Sequence, residues 1–218
     1  TKIIISEIFK KKFKLINFYK RRIKRLLPAL LTVILSSILI FWIIFLPTYY
    51  KDFLQSSFFS IIFLSNFLFY LEAGDYWAVS KFKPLLHTWS LSIEEQFYLF
   101  YPILILLLIK VSFKLTKIVI FILFSLSLIL CVINEDNSLN FYLTHIRLWE
   151  LLLGGLINFL NIKYLPNLKN IIIYNLLTIS GLILILISIF LFDNQINYPG
   201  FHTLAPTIGA AIIIIFSN

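Results

Sequence analysis

Long runs of isoleucine, leucine and phenylalanine, with few charges inside them, constrain this sequence more than any other feature. The runs cover residues 26–46, 53–71, 92–109, 115–133, 146–162, 171–192 and 204–216. A helix needs about 20 apolar residues to cross the hydrocarbon core of a bilayer, and the runs lack the alternation of a membrane β-barrel. We therefore predict an all-α, polytopic bundle in the membrane, with about seven membrane segments.

Composition and charge exclude two other classes of protein. Hydrophobic residues make up 60% of the chain and charged residues 13%, whereas a soluble domain is about half apolar and a quarter charged. The net charge is +9, but most basic residues precede the first apolar run, at 10–12, 14 and 20–25. Such a cluster is typical of the cytoplasmic side of a membrane span. We therefore expect the lipid bilayer, and not nucleic acid, as a partner.

The positive-inside rule predicts an unusual path between the first and third runs. The basic N-terminal segment belongs in the cytoplasm, and so do Lys110, Lys114 and Lys117. Two full crossings between residues 47 and 110 would place these lysines outside. We expect residues 72–92 to re-enter the membrane as buried or cavity-lining backbone. The alternative is that the lysines do not follow the rule.

Arginines in the basic segment are candidates for binding a phosphorylated ligand. In a helix, Arg21 and Arg25 share a face and Arg22 lies beside them. The planar guanidinium group binds phosphate through two parallel hydrogen bonds. This face could therefore bind a nucleotide-like cofactor, although an ordinary positive-inside anchor explains the same residues.

Polar residues also crowd the start of the third run, where charges near lipid usually face a cavity or a partner. His87 is a candidate general base, with a carboxylate that orients it or acts as an acid; a hydrogen-bonded interfacial histidine is the alternative. Ser92 and Glu95 fit a helix capping box. That box leaves Glu94 unexplained, and Glu94 shares a face with Ser90 if the helix starts earlier.

A third cluster opens the fifth run. Arg147 and Glu150 are three residues apart and can pair across one helical turn, so the favoured interpretation is a structural salt bridge. Gly154 and Gly155 would let another helix approach closely. The single cysteine, Cys131, lies inside an apolar run and is expected to be buried. One cysteine supports neither a disulfide framework nor a metal cluster.

In order and spacing, the three clusters resemble blocks of the acyltransferase-3 family of membrane O-acyltransferases. The three blocks are FYKRRIKRLLPA at 18–29, LHTWSLSIEEQFY at 86–98 and RLWELLLGG at 147–155. The central block is the specific one, and the resemblance covers nearly the whole chain. It implies that residues 1–218 form an acyltransferase-3 transmembrane domain.

The resemblance implies a multi-pass enzyme of the bacterial inner membrane. It would take an acyl group, usually acetyl, from acyl-CoA in the cytoplasm. The acceptor would be a sugar hydroxyl on a cell-envelope glycan, such as O-antigen, peptidoglycan or exopolysaccharide. No metal is expected to take part.

The resemblance also implies roles for individual residues. The phosphates of CoA would be bound by Arg21, Arg22 and Arg25. The candidates for catalysis near the reaction centre are Glu94, Glu95 and His87. Roles in substrate binding or in structure are expected for Trp89, Ser90, Arg147 and Glu150.

The chain departs from the family pattern at its ends. The family's likely catalytic histidine sits on its first membrane helix, upstream of residue 1, and the final helices are absent as well. The sequence also contains no methionine. We therefore expect the chain to be the middle of a longer protein and to be inactive by itself.

A non-enzymatic transporter or glycan flippase is the rival class. It would explain charges at membrane depth equally well. It would not explain an arginine face suited to phosphate together with the specific central block.

Overall fold

The computed structural model describes residues 1–72, 83–159, 171–192 and 199–216. In these ranges the chain is helical and contains no strand, which confirms the all-α prediction. The helices are α1 (Lys2–Phe9), α2 (Leu15–Ile44), α3 (Pro47–Ile61), α4 (Ser65–Glu72), α5 (Thr88–Val111), α6 (Phe113–Ile133), α7 (Asn137–Tyr142), α8 (Thr144–Ile157), α9 (Ile171–Leu191) and, after a short 3-10 turn at Phe201–Thr203, α10 (Leu204–Phe216).

Among the described residues, four helices are long and apolar enough to cross a membrane: α2, α5, α6 and the Ile173–Leu191 part of α9. Their outer faces expose large apolar side chains. On α2, for example, Leu39 is 71% exposed and Ile43 is 84% exposed. Such an apolar surface is stable in contact with lipid tails but not in contact with water. The prediction of a membrane protein, made from composition, is therefore confirmed.

The predicted number of seven spans is not confirmed. The run at 53–71 is divided into α3 and α4, with 15 and 8 residues, and at 1.5 Å per residue these helices are about 22 and 12 Å long. The run at 146–162 gives α8, with 14 residues. Neither run supplies one straight helix of about 30 Å, which is the thickness of the hydrocarbon core.

The division between α3 and α4 lies at residues 62–64, where Phe63 has a φ of 55°. A left-handed conformation is costly for a bulky residue, so surrounding contacts must hold it. The carbonyl of Phe63 accepts a hydrogen bond of 2.8 Å from the side-chain amide of Gln96 on α5. This buried bond provides such a contact.

The chain folds as two compact units. The N-terminal unit comprises Ile3–Leu107 with Tyr142–Thr144, and the C-terminal unit comprises Thr1–Lys2, Leu108–Phe141 and His145–Asn218.

Within the N-terminal unit, α2 and α5 run in opposite directions. The Tyr19 hydroxyl, near the start of α2, donates a 2.7 Å hydrogen bond to the carbonyl of Leu99 in the second half of α5. Further along α2, Leu30 and Ile34 pack in one cluster with Leu85, just before α5 begins. The chain between the two helices therefore returns to the side on which α2 ends, and α5 then runs back towards the side of the basic segment.

This return fits the path predicted from the positive-inside rule, but only part of the predicted re-entrant segment can be placed. Residues 73–82 lie outside the described residues. Residues 88–92 form the first turns of α5, so the expectation of non-helical backbone is wrong for them. The break that the structure does describe comes earlier, between α3 and α4.

Two buried groups of polar side chains join α3, α4 and α5. The first consists of hydroxyl groups: Ser60 bonds Thr88 at 2.8 Å, Thr88 bonds Ser65 at 3.0 Å, and Ser65 bonds Ser92 at 2.8 Å. All four residues are at most 3% exposed. Buried polar groups need such partners, because an unpaired one costs about 1–3 kcal/mol.

The second group centres on Gln96. Its amide nitrogen donates to Asn66 Oδ1 at 2.9 Å as well as to the Phe63 carbonyl, and Thr144 Oγ1 donates to its amide oxygen. Asn66 in turn donates to the Tyr142 carbonyl at 3.1 Å. Residues far apart in sequence are thus tied to α5 by one side chain.

Replacing Gln96 with leucine should therefore destabilise the N-terminal unit by about 2 kcal/mol, because it leaves buried partners unpaired. The measurement is the unfolding midpoint of the purified protein in detergent. Phe100→Leu is the control, since Phe100 is 67% exposed on the same helix, and it should change stability little. Equal stability of Gln96→Leu and wild type would contradict this account of the break.

The C-terminal unit has its own core, formed by α6, α7, α8 and α10. Cys131, Ile146 and Trp149 cluster together, and Cys131 is 1% exposed, as predicted for a buried cysteine. The helices α9 and α10 touch at Gly181 and Gly209. Gly154 and Gly155 were expected to allow close helix approach. A Cβ at Gly154 would have no atom of the described residues within 4 Å, so Gly154 does not lie at such a contact there, and the expectation for Gly155 stays a prediction.

Candidate site on helices α2 and α5

The arginine segment lies inside a regular helix, as the spacing argument requires, because α2 begins at Leu15 and not at residue 26. Lysine and arginine are good helix formers, so the helix continues through the charged residues. Arg21 and Arg25 are exposed, whereas Arg22 is half-buried. Arg21 forms an ion pair of 3.4 Å with Glu7 of α1, and such an exposed pair adds little stability.

Arg22 points towards α5. Its guanidinium carbon lies 3.5 Å from the centroid of the Tyr98 ring and 5.9 Å from that of Phe18. A guanidinium group stacked on a ring keeps its N–H donors, which lie in the guanidinium plane, available for other acceptors. Within the part of the chain that the structure describes, Arg22 makes no hydrogen bond. Arg22 is therefore oriented and still able to bind an anionic oxygen.

Glu95 precedes Tyr98 by three residues in α5, so the two side chains share a face of the helix. The Glu95 side chain is half-buried, and its Oε1 is buried without a hydrogen-bond partner among the described residues. A buried carboxylate oxygen needs a hydrogen-bond donor. Glu95 Oε1 is therefore suited to accept a hydrogen bond from a bound ligand.

The capping box predicted for Ser92 and Glu95 is wrong. The helix starts at Thr88, so Ser92 lies inside it, and the Ser92 hydroxyl is bonded to Ser65. The helix begins four residues before Ser92, at Thr88, whose hydroxyl donates to the Leu85 carbonyl of the preceding turn at 2.7 Å. Glu95 is therefore not explained by helix capping.

His87, Trp89 and Ser90 lie at the N-terminal end of α5. His87 is exposed in the turn before the helix, about 10 Å from the level of Glu94 along the helix axis, at 1.5 Å per residue. The Ser90 hydroxyl donates to the His87 carbonyl at 3.1 Å. The Trp89 and Tyr142 rings meet edge to face, with centroids 5.9 Å apart. These residues therefore lie nearer the N-terminal end of α5, at a different level along the helix axis from Arg22 and Glu95.

Arg147 and Glu150 belong to the C-terminal unit and pair with each other, as predicted. Arg147 Nη2 donates to both carboxylate oxygens of Glu150, at 3.0 and 2.8 Å. Both side chains are mostly buried, at 12% and 22% exposure. A paired arrangement of this kind makes burial of the two charges tolerable.

Sequence reasoning missed several residues that shape the site. No role was given to Tyr19 and Tyr98, to the buried Asn66 or to the half-buried Gln96 and Thr144. Their importance depends on contacts between residues about 30 to 80 positions apart, which no local pattern reports. One weak signal existed, since Asn66 is one of several polar residues inside a mostly apolar run.

Comparison with known proteins adds a family to this geometry. A family model described as an acyltransferase domain matches residues 4–218. An uncharacterized protein of Haemophilus influenzae is 34% identical over 231 residues, with 98% of this chain and 91% of that protein covered. The O-acetyltransferase OatA of Staphylococcus aureus strain NCTC 8325 is 34% identical over 206 residues. That match covers 89% of this chain and 34% of OatA, so the chain spans about a third of that relative. No solved structure matches.

Proposed function

We propose, since the chain belongs to the acyltransferase-3 family, that it is a membrane O-acyltransferase acting at the bacterial inner membrane. The acyl donor in this proposal is acyl-CoA, most simply acetyl-CoA, and the acceptor is a hydroxyl of a cell-envelope glycan. One observation carries the proposal: the arginine segment of α2 meets the acidic segment of α5, because Arg22 lies on the ring of Tyr98, one helical turn from Glu95.

The arginines divide into two groups by exposure, which supports two tasks at the donor. Arg21 and Arg25 are exposed and share one face of α2, where they can bind the phosphates of CoA through charge-assisted hydrogen bonds. Arg22 lies on the ring of Tyr98, one helical turn from Glu95, so its N–H groups are suited to the thioester carbonyl oxygen. Negative charge develops on that oxygen in the transition state, where a preoriented donor is most effective.

The reaction joins the acceptor oxygen to the acyl carbon. As the carbon–oxygen bond forms, the hydroxyl proton passes to a base and the carbon–sulfur bond breaks. CoA then leaves as a thiol after it has taken up a proton. Glu95 is our candidate for the base, because its Oε1 is buried and lacks a partner among the described residues. His87 remains a second candidate, at a different level of α5.

A transporter is the other function to test, because a broken helix at membrane depth is common in transporters. The break between α3 and α4 is of that type. It does not account for the arginines and the carboxylates in one site, and we therefore prefer the transferase.

Membrane vesicles that contain the full-length protein and its glycan test the proposal. With acetyl-labelled acetyl-CoA, we expect label on the glycan that is released by mild alkali, as an ester is, and no label from free acetate. Vesicles from cells without the protein are the control. Glycan movement across the membrane with no ester label, whichever acyl-CoA is supplied, would favour the transporter.

A further inference from the structure

The contact between α2 and α5 lies where a proline interrupts the backbone hydrogen bonds of α5. Pro102 lies inside the helix and has no N–H to donate to the carbonyl of Tyr98 four residues earlier. The Tyr19 hydroxyl donates to the adjacent Leu99 carbonyl at 2.7 Å. An external donor therefore bonds the backbone of α5 at the place where the proline interrupts the helix.

At the same place the ring of Tyr98 supports Arg22. The guanidinium carbon is 3.5 Å from the ring centroid, which is close even for a cation–π contact, whose usual limit is about 6 Å. Arg21 and Arg25, on the same segment, have no aromatic contact among the described residues. Arg22 is thus the arginine of the three that is held against an aromatic ring of α5.

We infer that Tyr98 is a positioning residue for Arg22: its ring fixes the guanidinium plane so that the N–H donors point towards the acyl group of the donor, beside Glu95. The inference rests on the proposed function for the identity of the ligand, but the contact itself does not. Tyr98 acts through Arg22 and is not itself a catalytic residue. Its hydroxyl is dispensable in this role, since the face of the ring makes the contact.

The kinetic test compares Tyr98→Leu with Tyr98→Phe in the acyl-transfer assay. Loss of the ring should lower kcat about tenfold, as expected for a partly desolvated cation–π contact, with little change in KM for acyl-CoA. Tyr98→Phe keeps the ring and should remain within about twofold of wild type. In an Arg22→Ala background, Tyr98→Leu should have no further effect. Independent, multiplying effects of the two substitutions would overturn the inference, and so would equal damage by phenylalanine and leucine.

A chemical test separates this inference from the proposed function. Phenylglyoxal modifies exposed guanidinium groups, and mass spectrometry gives the rate at each arginine. We expect Tyr98→Leu to raise the rate at Arg22 at least about threefold, whereas Tyr98→Phe does not, with cation–π shielding as the physical reason. Arg21 in the same sample is the internal reference. An unchanged rate at Arg22 would overturn the positioning role, whether or not the wild-type protein transfers acyl groups.

Discussion

Replacing Glu95 with glutamine should lower kcat for acyl transfer by about a hundredfold or more, the usual contribution of a general base. Glutamine has nearly the same shape but cannot take up a proton from the acceptor hydroxyl. The KM for acyl-CoA should change little, because in the proposed site the phosphates would be bound by Arg21 and Arg25. The measurement is the initial rate of ester formation in vesicles, at equal amounts of protein.

Glu94→Gln is the matched control for this prediction. The two carboxylates are adjacent in sequence, but Glu94 is exposed whereas Glu95 is half-buried, with one oxygen that lacks a partner in the described part of the chain. The same substitution at Glu94 should therefore cost about fivefold or less, as expected for a residue that only alters the field of its neighbour. If Glu94→Gln were the damaging variant and Glu95→Gln nearly normal, the assignment of the base would be wrong.

Replacing Gly181 with valine should destabilise the C-terminal unit by about 3 kcal/mol, at the upper end of overpacking effects. A Cβ at Gly181 would lie 2.7 Å from the carbonyl oxygen of Gly209 and 3.0 Å from Ile213 Cγ1. The first of these atoms is backbone, so α9 and α10 would have to move apart. The unfolding midpoint of the protein in detergent, followed by circular dichroism, measures the effect.

Gly154→Val is the control for the glycine prediction. A Cβ at Gly154 meets nothing within 4 Å among the described residues, and valine is a slightly better helix former than glycine, so stability should stay within about 0.5 kcal/mol. Equal losses at the two positions would show that valine harms these helices for a reason other than the contact between the glycines.

Fold class was predictable because the length and the apolar composition of a run report directly on membrane helices. The run at 204–216 coincides with α10, and the run at 171–192 ends one residue after α9. The start of α2 was placed too late, at residue 26 and not at Leu15. Hydropathy falls at charged residues, but helix propensity does not, so the two signals separate in the basic segment.

The run at 53–71 shows where hydropathy fails. Its average suits one membrane helix, and its polar residues could only be read as a weakening of that helix. In the structure, Ser60, Ser65 and Asn66 satisfy their hydrogen bonds with residues of α5 and of the 142–144 segment. Those partners are distant in sequence, so the local pattern could not predict the break.

The site was predictable as two separate motifs and not as one place. Residue types and spacing singled out Arg21, Arg22 and Arg25 on one segment and Glu94 and Glu95 on another. The docking of α2 on α5 decides which arginine turns inwards and which carboxylate is buried. That docking uses tyrosine contacts over about 80 residues, beyond the reach of any periodicity argument.

Equilibrium binding of coenzyme A to the purified full-length protein, measured by calorimetry, most directly tests the claim that the α2 segment binds the acyl donor. For the Arg21→Ala, Arg25→Ala double variant, we predict a Kd at least about tenfold higher than that of wild type, because charge-assisted hydrogen bonds are lost. Lys20→Ala, Lys24→Ala removes the same charge from exposed positions of the same segment and should raise Kd about threefold or less, as expected from screened charges. An unchanged Kd in the arginine variant, or equal effects of the two variants, would contradict the account.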